Sequence, residues 1–350
     1  MILDESSLDL ASAIDAILGE PPPRGEVKPE LLESVLEIST SPCPDVASAG
    51  GQLSALRNLV AERAAAKGLR IGASGTHPFA RWEDQRVVSD DRYRGLIRSL
   101  GFVARQELVF GMHVHVGMAD AEETIHVANH LRPYVPLLIA LSANSPLWRG
   151  EPTGLASSRV PIFRAFPRVG LPPRFGSWED FQQRVQTLID GGVIEDYTYL
   201  WYDVRPHPRL GTIEIRAMDS QTRLEHTTAL AALVVALVKM LTEEAQAGGE
   251  TDEEPWELID ENRWLAARHG LDAELIDHAG GRRSARELTE ELLGRLGPHA
   301  AELRCEEQLA GIEDLLHGGN GAHRQQMVFE ANRDLHELVG EIVEHTVPGG

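Results

Sequence analysis

The chain has 350 residues, enough to bury a sizeable core, and 42% of them are hydrophobic, as in a globular protein. Its formal net charge of −21 at pH 7 excludes a broad basic surface for nucleic acid, yet leaves room for a few arginines and a metal ion to hold one nucleotide. The apolar run Thr228–Met240 reads as too short to span a membrane, no basic segment followed by an apolar one heads the chain, and Cys43 and Cys305 fit neither a metal spacing nor a disulfide framework. The expectation is a cytoplasmic protein with two free thiols, and with neither membrane nor nucleic acid among its partners.

In chain order, Met1-Ile-Leu-Asp4 reads as the tail of a strand and Pro21–Gly25 as a turn. Residues 29–40 are ambiguous. A helix puts Leu32, Val35, Leu36 and Ser39 on one stripe, a strand puts Glu33, Val35 and Glu37 on one face, and propensity alone favours helix. Asp45 caps a helix running to Lys67 and ended by Gly68; Leu69–Ala73 is a short strand leading into the loop Ser74–Phe79. Helices are expected over 90–106 and 121–141, and a long loop rich in proline and arginine over 151–173. Trp178–Ile189 reads as helix and Tyr202–Arg205 as a short strand, with Pro206-His-Pro208 turning the chain. From Arg223 helix dominates, broken by loops at 248–254 and 279–283, and a last helix covers 322–345. Strands mixed irregularly with helices, without a repeat or composition break, argue one α+β domain over residues 1–350 around a mainly antiparallel sheet.

Two segments carry the chemistry. Gly111-Met-His-Val-His-Val-Gly117 and Gly211-Thr-Ile-Glu-Ile-Arg-Ala-Met-Asp219 both alternate polar and apolar residues, the pattern of a strand with one face in a core. His113 and His115 then share a face, as do Glu214 and Arg216. Imidazole and carboxylate suit a divalent cation, and a guanidinium fork suits phosphate or carboxylate oxygens, so the set points to a metal–nucleotide site on a sheet. Taken singly, each pair also reads as half-buried histidines or a cross-strand ion pair. The glycine-rich phosphate loops Gly-x-x-x-x-Gly-Lys-Ser/Thr and Gly-x-Gly-x-x-Gly are missing, and so is the hydrolase Gly-x-Ser-x-Gly. Gly318-Gly-Asn-Gly321 sits between helices and reads as a turn.

The ordered set Val27–Thr40, Gly75-Thr-His-Pro-Phe79, the His113/His115 strand, Ala156-Ser-Ser-Arg159, Asp203-Val-Arg-Pro206, the Glu214/Arg216 strand and Glu261–Arg268 resembles the bacterial glutamate–cysteine ligase 2 family, the carboxylate–amine ligases of the glutamine-synthetase-like superfamily. The resemblance covers essentially the whole chain. It implies a bowl-shaped, mainly antiparallel sheet backed by helices. The implied reaction is ATP-dependent joining of a side-chain carboxylate, with L-glutamate and L-cysteine as reference substrates, through an acyl phosphate and with Mg²⁺ or Mn²⁺. It implies metal ligation by Glu37, His113 and Glu214, more weakly by Glu30, which favours strand over helix at 29–40. His115 and Arg216 are implied at the ATP phosphates, Arg216 also steadying the transferring group, and Arg159 and Arg205 at substrate carboxylates. A homodimer comes with the analogy.

Members of that family carry a Gly-Val-Glu-Glu-Glu strand, a source of metal ligands, before the segment matching Met1–Asp4. The expectation is a start codon assigned too far downstream; the alternative is a form with weaker metal binding. The rival functions are a catalytically weak relative that binds an amino acid or nucleotide as a regulator, and a metal hydrolase using the two histidines without ATP.

Overall fold

The computed structural model describes residues 1–247 and 254–347, in which helices are interleaved with short strands in an α+β arrangement. Its organising piece is a three-stranded antiparallel sheet. The middle strand, Thr212–Asp219, pairs with Val204–His207 on one side and Gly111–Gly117 on the other. Smaller antiparallel pairs join Ile2–Asp4 to Leu69–Ile71 and Glu26–Pro29 to Leu36–Ser39, while Val169–Gly170 and Trp201–Tyr202 run parallel.

Period-two alternation gives the main sheet two chemically different faces. Met112, Val114, Val204, Ile213 and Ile215 turn into the largest apolar cluster of the protein. The opposite face carries His113 and His115, with Glu214 set directly across from both His115 and Arg205. Beneath the apolar face runs the helix Leu224–Gln246, packed by Val46–Ala65, Ala121–Leu131, Ala285–Glu302 and Glu306–Gly318. It has 23 residues and is apolar enough to cross a bilayer by length and composition, longer than the 228–240 run alone, but its Leu230, Leu233 and Leu237 are fully buried among the other helices.

Several elements differ from the sequence reading, each for a local reason. Residues 29–40 follow the strand reading that the resemblance favours and depart only from the helix that propensity alone favours: Lys28 pairs with Glu37 across a hairpin, and Leu32 and Val35 plug a satellite core with Leu108. The 121–141 helix is broken into Ala121–Leu131 and Val135–Ser142 by a 3₁₀ turn carrying Pro133, which lacks the N–H that continuity needs. The 90–106 helix breaks at Gly101, and the last helix breaks at Arg333, which takes the left-handed conformation (φ 57°) between Gly321–Asn332 and Leu335–Thr346. The 151–173 stretch contains a short helix, Arg159–Phe163, and the 279–283 loop turns a hairpin between Glu274–Ile276 and Arg282–Ser284. Of the 248–254 loop, residues 248–253 lie outside the described residues. Both cysteines are free thiols.

One buried arginine ties three distant segments together. Arg57, on the helix whose N-cap Asp45 accepts from Ser48 N, donates to the carbonyls of Thr222 (2.6 Å), Gln221 (2.8 Å) and Thr346 (3.0 Å). Burial, opposed by Glu225, lowers its pKa to about 10, so it keeps its charge at neutral pH. Arg57→Met removes the donors and leaves three carbonyls, two of them buried, short of partners. The expected loss is about 3 kcal/mol of unfolding free energy, read as a lower urea midpoint with unchanged slope; an unchanged midpoint would show that water replaces the guanidinium without cost.

Candidate functional site

The polar face of the main sheet is built around one carboxylate. Glu214 is 2% exposed at its side chain, and both of its oxygens are held by cations. Oε2 accepts from Arg205 Nε (2.7 Å) and lies 2.6 Å from Arg205 Nη2, a two-point fork; Oε1 accepts from Arg216 Nη1 at 2.6 Å. His115 Nε2 and His113 Nδ1 stand 3.5 and 3.6 Å from the same Oε1. Burial alone would push Glu214 up. The His115 contact and the Arg216 and Arg205 charges more than offset it and hold the carboxyl far below its usual range. The expected alignment of His113, His115, Glu214 and Arg216 is what the register brings together.

The two imidazoles are held differently. His115 Nδ1 meets Thr212 Oγ1 at 2.9 Å, which leaves Nε2 toward the carboxylate, and its ring packs edge-on against His207 at 5.2 Å between centroids. His207 in turn contacts the Tyr197 hydroxyl through Nδ1 (3.3 Å). His113 lies 3.3 Å from Arg216 Nη1, and burial together with that positive charge keeps it well below an ordinary imidazole despite the pull of Glu214.

A bulge interrupts the strand at Arg216. Ile215 faces Val114 while Met218 faces Met112, so one extra residue is inserted and Arg216 and Ala217 sit opposite His113. On the other edge Arg216 N extends the pairing with the Val204–His207 strand by donating to Asp203 O (2.7 Å). The two bulged carbonyls, Arg216 O and Ala217 O, accept from Arg159 Nη2 (2.9 Å) and Nη1 (3.2 Å). Gly111 permits this clamp, since a Cβ there would lie 2.5 Å from Arg159 Nη2. Asp219 closes the strand, accepting from Asn144 N, Ser145 Oγ and Ser157 Oγ, with Arg159 Nη1 at 3.9 Å. Arg205, besides Glu214, donates to Thr198 O and Leu200 O. Arg159 and Arg205 are thus both engaged with protein groups.

Glu37 and Glu30 lie in and beside the neighbouring hairpin. Glu37 pairs with Lys28 (3.0 Å), and Glu30 is pushed up by burial and by the Glu37 charge, with Lys28 and Arg216 pulling the other way. Glu107, just ahead of the His113 strand, carries no signal in the sequence. Burial and the charge of Glu30 raise its pKa to about 8, against Arg216 and Arg159. No spacing or motif marks it, because its environment comes from segments far apart in the chain; the same holds for Thr212, Tyr197 and His207. Among the described residues no three His, Cys, Asp or Glu side chains are already grouped around a metal position. The donor chemistry nevertheless fits a hard cation on the acidic side, where burial and the charge of Glu37 raise the proton affinity of Glu30, and burial and the charge of Glu30 raise that of Glu107.

Comparison with known proteins bears on the family and the fold. Residues 3–345 match the family described as glutamate-cysteine ligase family 2 (GCS2). "Putative glutamate--cysteine ligase 2-1" of Rubrobacter xylanophilus is 43% identical over 353 residues, covering 99% of this chain and 93% of its own. "Putative glutamate--cysteine ligase 2" of Sorangium cellulosum is 39% identical over 353 residues, covering 99% and 94%. In fold the chain is similar to a glutamate–cysteine ligase of Francisella tularensis solved in complex with AMP, with a TM-score of 0.69 at 14% identity, covering 99% of this chain and 86% of that one.

The raised carboxyl of Glu107 gives a signed pH dependence. It binds its proton more tightly folded than unfolded, so its contribution is fully present below the ordinary glutamate range and is lost as pH climbs through about 8. Urea unfolding of wild type and Glu107→Gln between roughly pH 5 and 9 should show the wild type losing ground steadily to the variant. Parallel profiles would mean that Glu107 is already ionised in the folded protein.

Proposed function

We propose that this chain, which belongs to glutamate–cysteine ligase family 2, is an ATP-dependent ligase that joins the γ-carboxylate of L-glutamate to the amino group of L-cysteine. The observation that carries the reading is the Glu214 cluster, which fixes Arg205 and Arg216 and sets His113 and His115 beside them on one open sheet face. In this reading the glutamate γ-carboxylate oxygen attacks the terminal phosphorus of ATP, ADP leaves, and the cysteine amine then displaces phosphate from the acyl phosphate. Arg216 supplies positive charge where the transferring group gathers negative charge, and its pairing with Glu214 fixes it in place beforehand. His115, oriented by Thr212, donates to or accepts from the phosphate chain. Substrate carboxylates are assigned to Arg159 and Arg205, through whatever N–H edges their protein partners leave open.

A divalent cation, Mg²⁺ or Mn²⁺, would be held by Glu30 and Glu37 on the acidic side with His113 and Glu214 across from them. When bound it offsets phosphate charge. The finer architecture belongs to the same proposal: residues 1–350 as one ligase domain, with the hairpin Glu26–Ser39 and the main sheet as neighbouring walls of a bowl. The charge of Arg216 acting on Glu30 supports that adjacency.

Phosphate release from Mg-ATP should require both glutamate and an amine, with cysteine the best of a panel. Arg216→Ala should lower kcat by about 10² to 10³ with the fold intact by circular dichroism, and chelation of the metal should abolish turnover. ATP hydrolysis indifferent to glutamate and amine would sink the ligase reading. Tight binding of ATP or glutamate without turnover would favour a regulator.

A further inference from the structure

A cavity of about 490 Å³ lies away from the sheet face, where the N-terminus of the helix Leu224–Gln246 meets the turn between Glu306–Gly318 and Gly321–Asn332. Three features make its wall a receptor for negative charge. The helix is uncapped: Arg223 stands at the N-cap, where Ser, Thr, Asp or Asn would ordinarily satisfy an N–H, and offers no acceptor. The first turn of this 23-residue helix, which carries the positive end of its dipole and one acidic residue, Glu225, thus has no side-chain cap, and its Arg223, Glu225 and His226 line the cavity.

The second feature is His226. It lines the cavity, the residue is only 6% exposed, and among the described residues no protein group bonds either ring nitrogen. The nitrogens are not sealed in the core but open to the cavity, where a ligand can take the place of water. Burial, with the converging charges of Arg324 and Arg223, lowers its pKa to about 4, so the ring is neutral and has one N–H to donate.

The third is a pair of guanidiniums. Arg324 is anchored by Nε to Gly319 O (3.2 Å), and among the described residues its Nη groups make no hydrogen bond or ion pair. A Cβ at Gly318 would lie 2.9 Å from Arg324 Nη2, so this glycine is what lets the guanidinium lie flat on the turn. Arg223 likewise has no side-chain hydrogen bond or ion pair among the described residues. The two arginines lie close enough that Arg223 depresses Arg324, more than Asp314 offsets. Asp314 and Glu225 also line the cavity, but neither forms an ion pair with these arginines. The carbonyl end of Glu306–Gly318 is quenched by Arg286 on Leu316 O, by Arg324 on Gly319 O and by His317 on Glu313 O.

We propose that this cavity is a second oxyanion site, which takes the phosphate group of a small phosphate-bearing molecule through Arg223, Arg324, His226 and the N-terminus of the Leu224–Gln246 helix. A tetrahedral group with three or four oxygens matches donors arriving from a helix end, two forks and a ring, better than a planar carboxylate does. The phosphate comes either free in solution or as part of a nucleotide. The site stands apart from the Glu214 cluster and does not depend on the ligase reading.

The test is a titration of the full-length chain, with histidine ring signals followed by NMR and His226 assigned by its loss in His226→Gln. Inorganic phosphate should shift the His226 signal saturably, both in wild type and in Arg216→Ala. In Arg223→Gln/Arg324→Gln the midpoint should rise at least about tenfold. Should the double variant fail to fold, Arg223→Gln alone removes a guanidinium with no partner in the fold and should still weaken binding several-fold. AMP acting at lower concentration than phosphate would assign the site to a nucleotide phosphate, and phosphate acting at equal or lower concentration would assign it to the free ion. A His226 signal unmoved by phosphate and AMP, or moved equally by adenosine, overturns the proposal. So does a midpoint indifferent to the arginine substitutions.

Discussion

Burying Glu214 sets the terms for everything around it. A carboxylate at 2% exposure is tolerable only with its charge matched and both oxygens bonded, and here that demand is met by two guanidiniums. Arg205 comes from the adjacent strand in register, and Arg216, two residues along the same strand, shares the face of Glu214 and reaches Oε1 directly. The bulge at Arg216 and Ala217 leaves two carbonyls that a buried donor satisfies. Arg159 is that donor, Gly111 makes room for it, and Asp219 balances it. A chain of contacts therefore runs from one charge to residues far away in sequence.

The same sheet must also anchor to the core, and its two faces divide the labour. Val114, Ile213 and Ile215 press into the apolar cluster over the Leu224–Gln246 helix, fixing the strand positions that carry the polar face. The ends of the Thr212–Asp219 strand are pinned separately. Gln221 and Thr222, just past it, give their carbonyls to Arg57, and Asp219 collects donors from Asn144, Ser145 and Ser157. Rigid support from below and at the ends keeps the guanidinium and imidazole groups within 2.6 to 3.6 Å of the Glu214 carboxylate without a ligand.

How much of this can be read from sequence follows from how local each feature is. The alternation in 111–117 and 212–219 is a short-range signal, so the shared face of His113, His115, Glu214 and Arg216 is legible in the residue pattern alone. Helices with Asp45 or Ser177 at their N-caps are legible for the same reason. Residues 29–40 are legible only through the resemblance, because local propensity suits a helix and it is pairing of Lys28 with Glu37 and burial of Leu32 that make it a hairpin. The bulge, the Arg159 clamp and the perturbed carboxyl of Glu107 are hidden. Each depends on groups brought together from separate elements, and no single window of the chain contains them.

The charge on the two sides of the site is unequal in a way that bears on what it accepts. On one side Arg159, Arg205 and Arg216 confront Glu214 and Asp219, a set with positive charge left over. On the other, Glu30 and Glu37 stand with Lys28 as their nearest cation, and Glu107 is a carboxyl held protonated chiefly by burial. Within a chain of net charge −21, a bare polyphosphate would be repelled from the acidic wall and a bare cation from the arginine wall. A ligand that is itself polarised, a cation bound to phosphate oxygens, is the one that lowers the energy of both walls at once. On the proposed reading, that complementarity makes the metal–nucleotide complex the species recognised, and it explains why neither wall is neutralised internally by the protein alone.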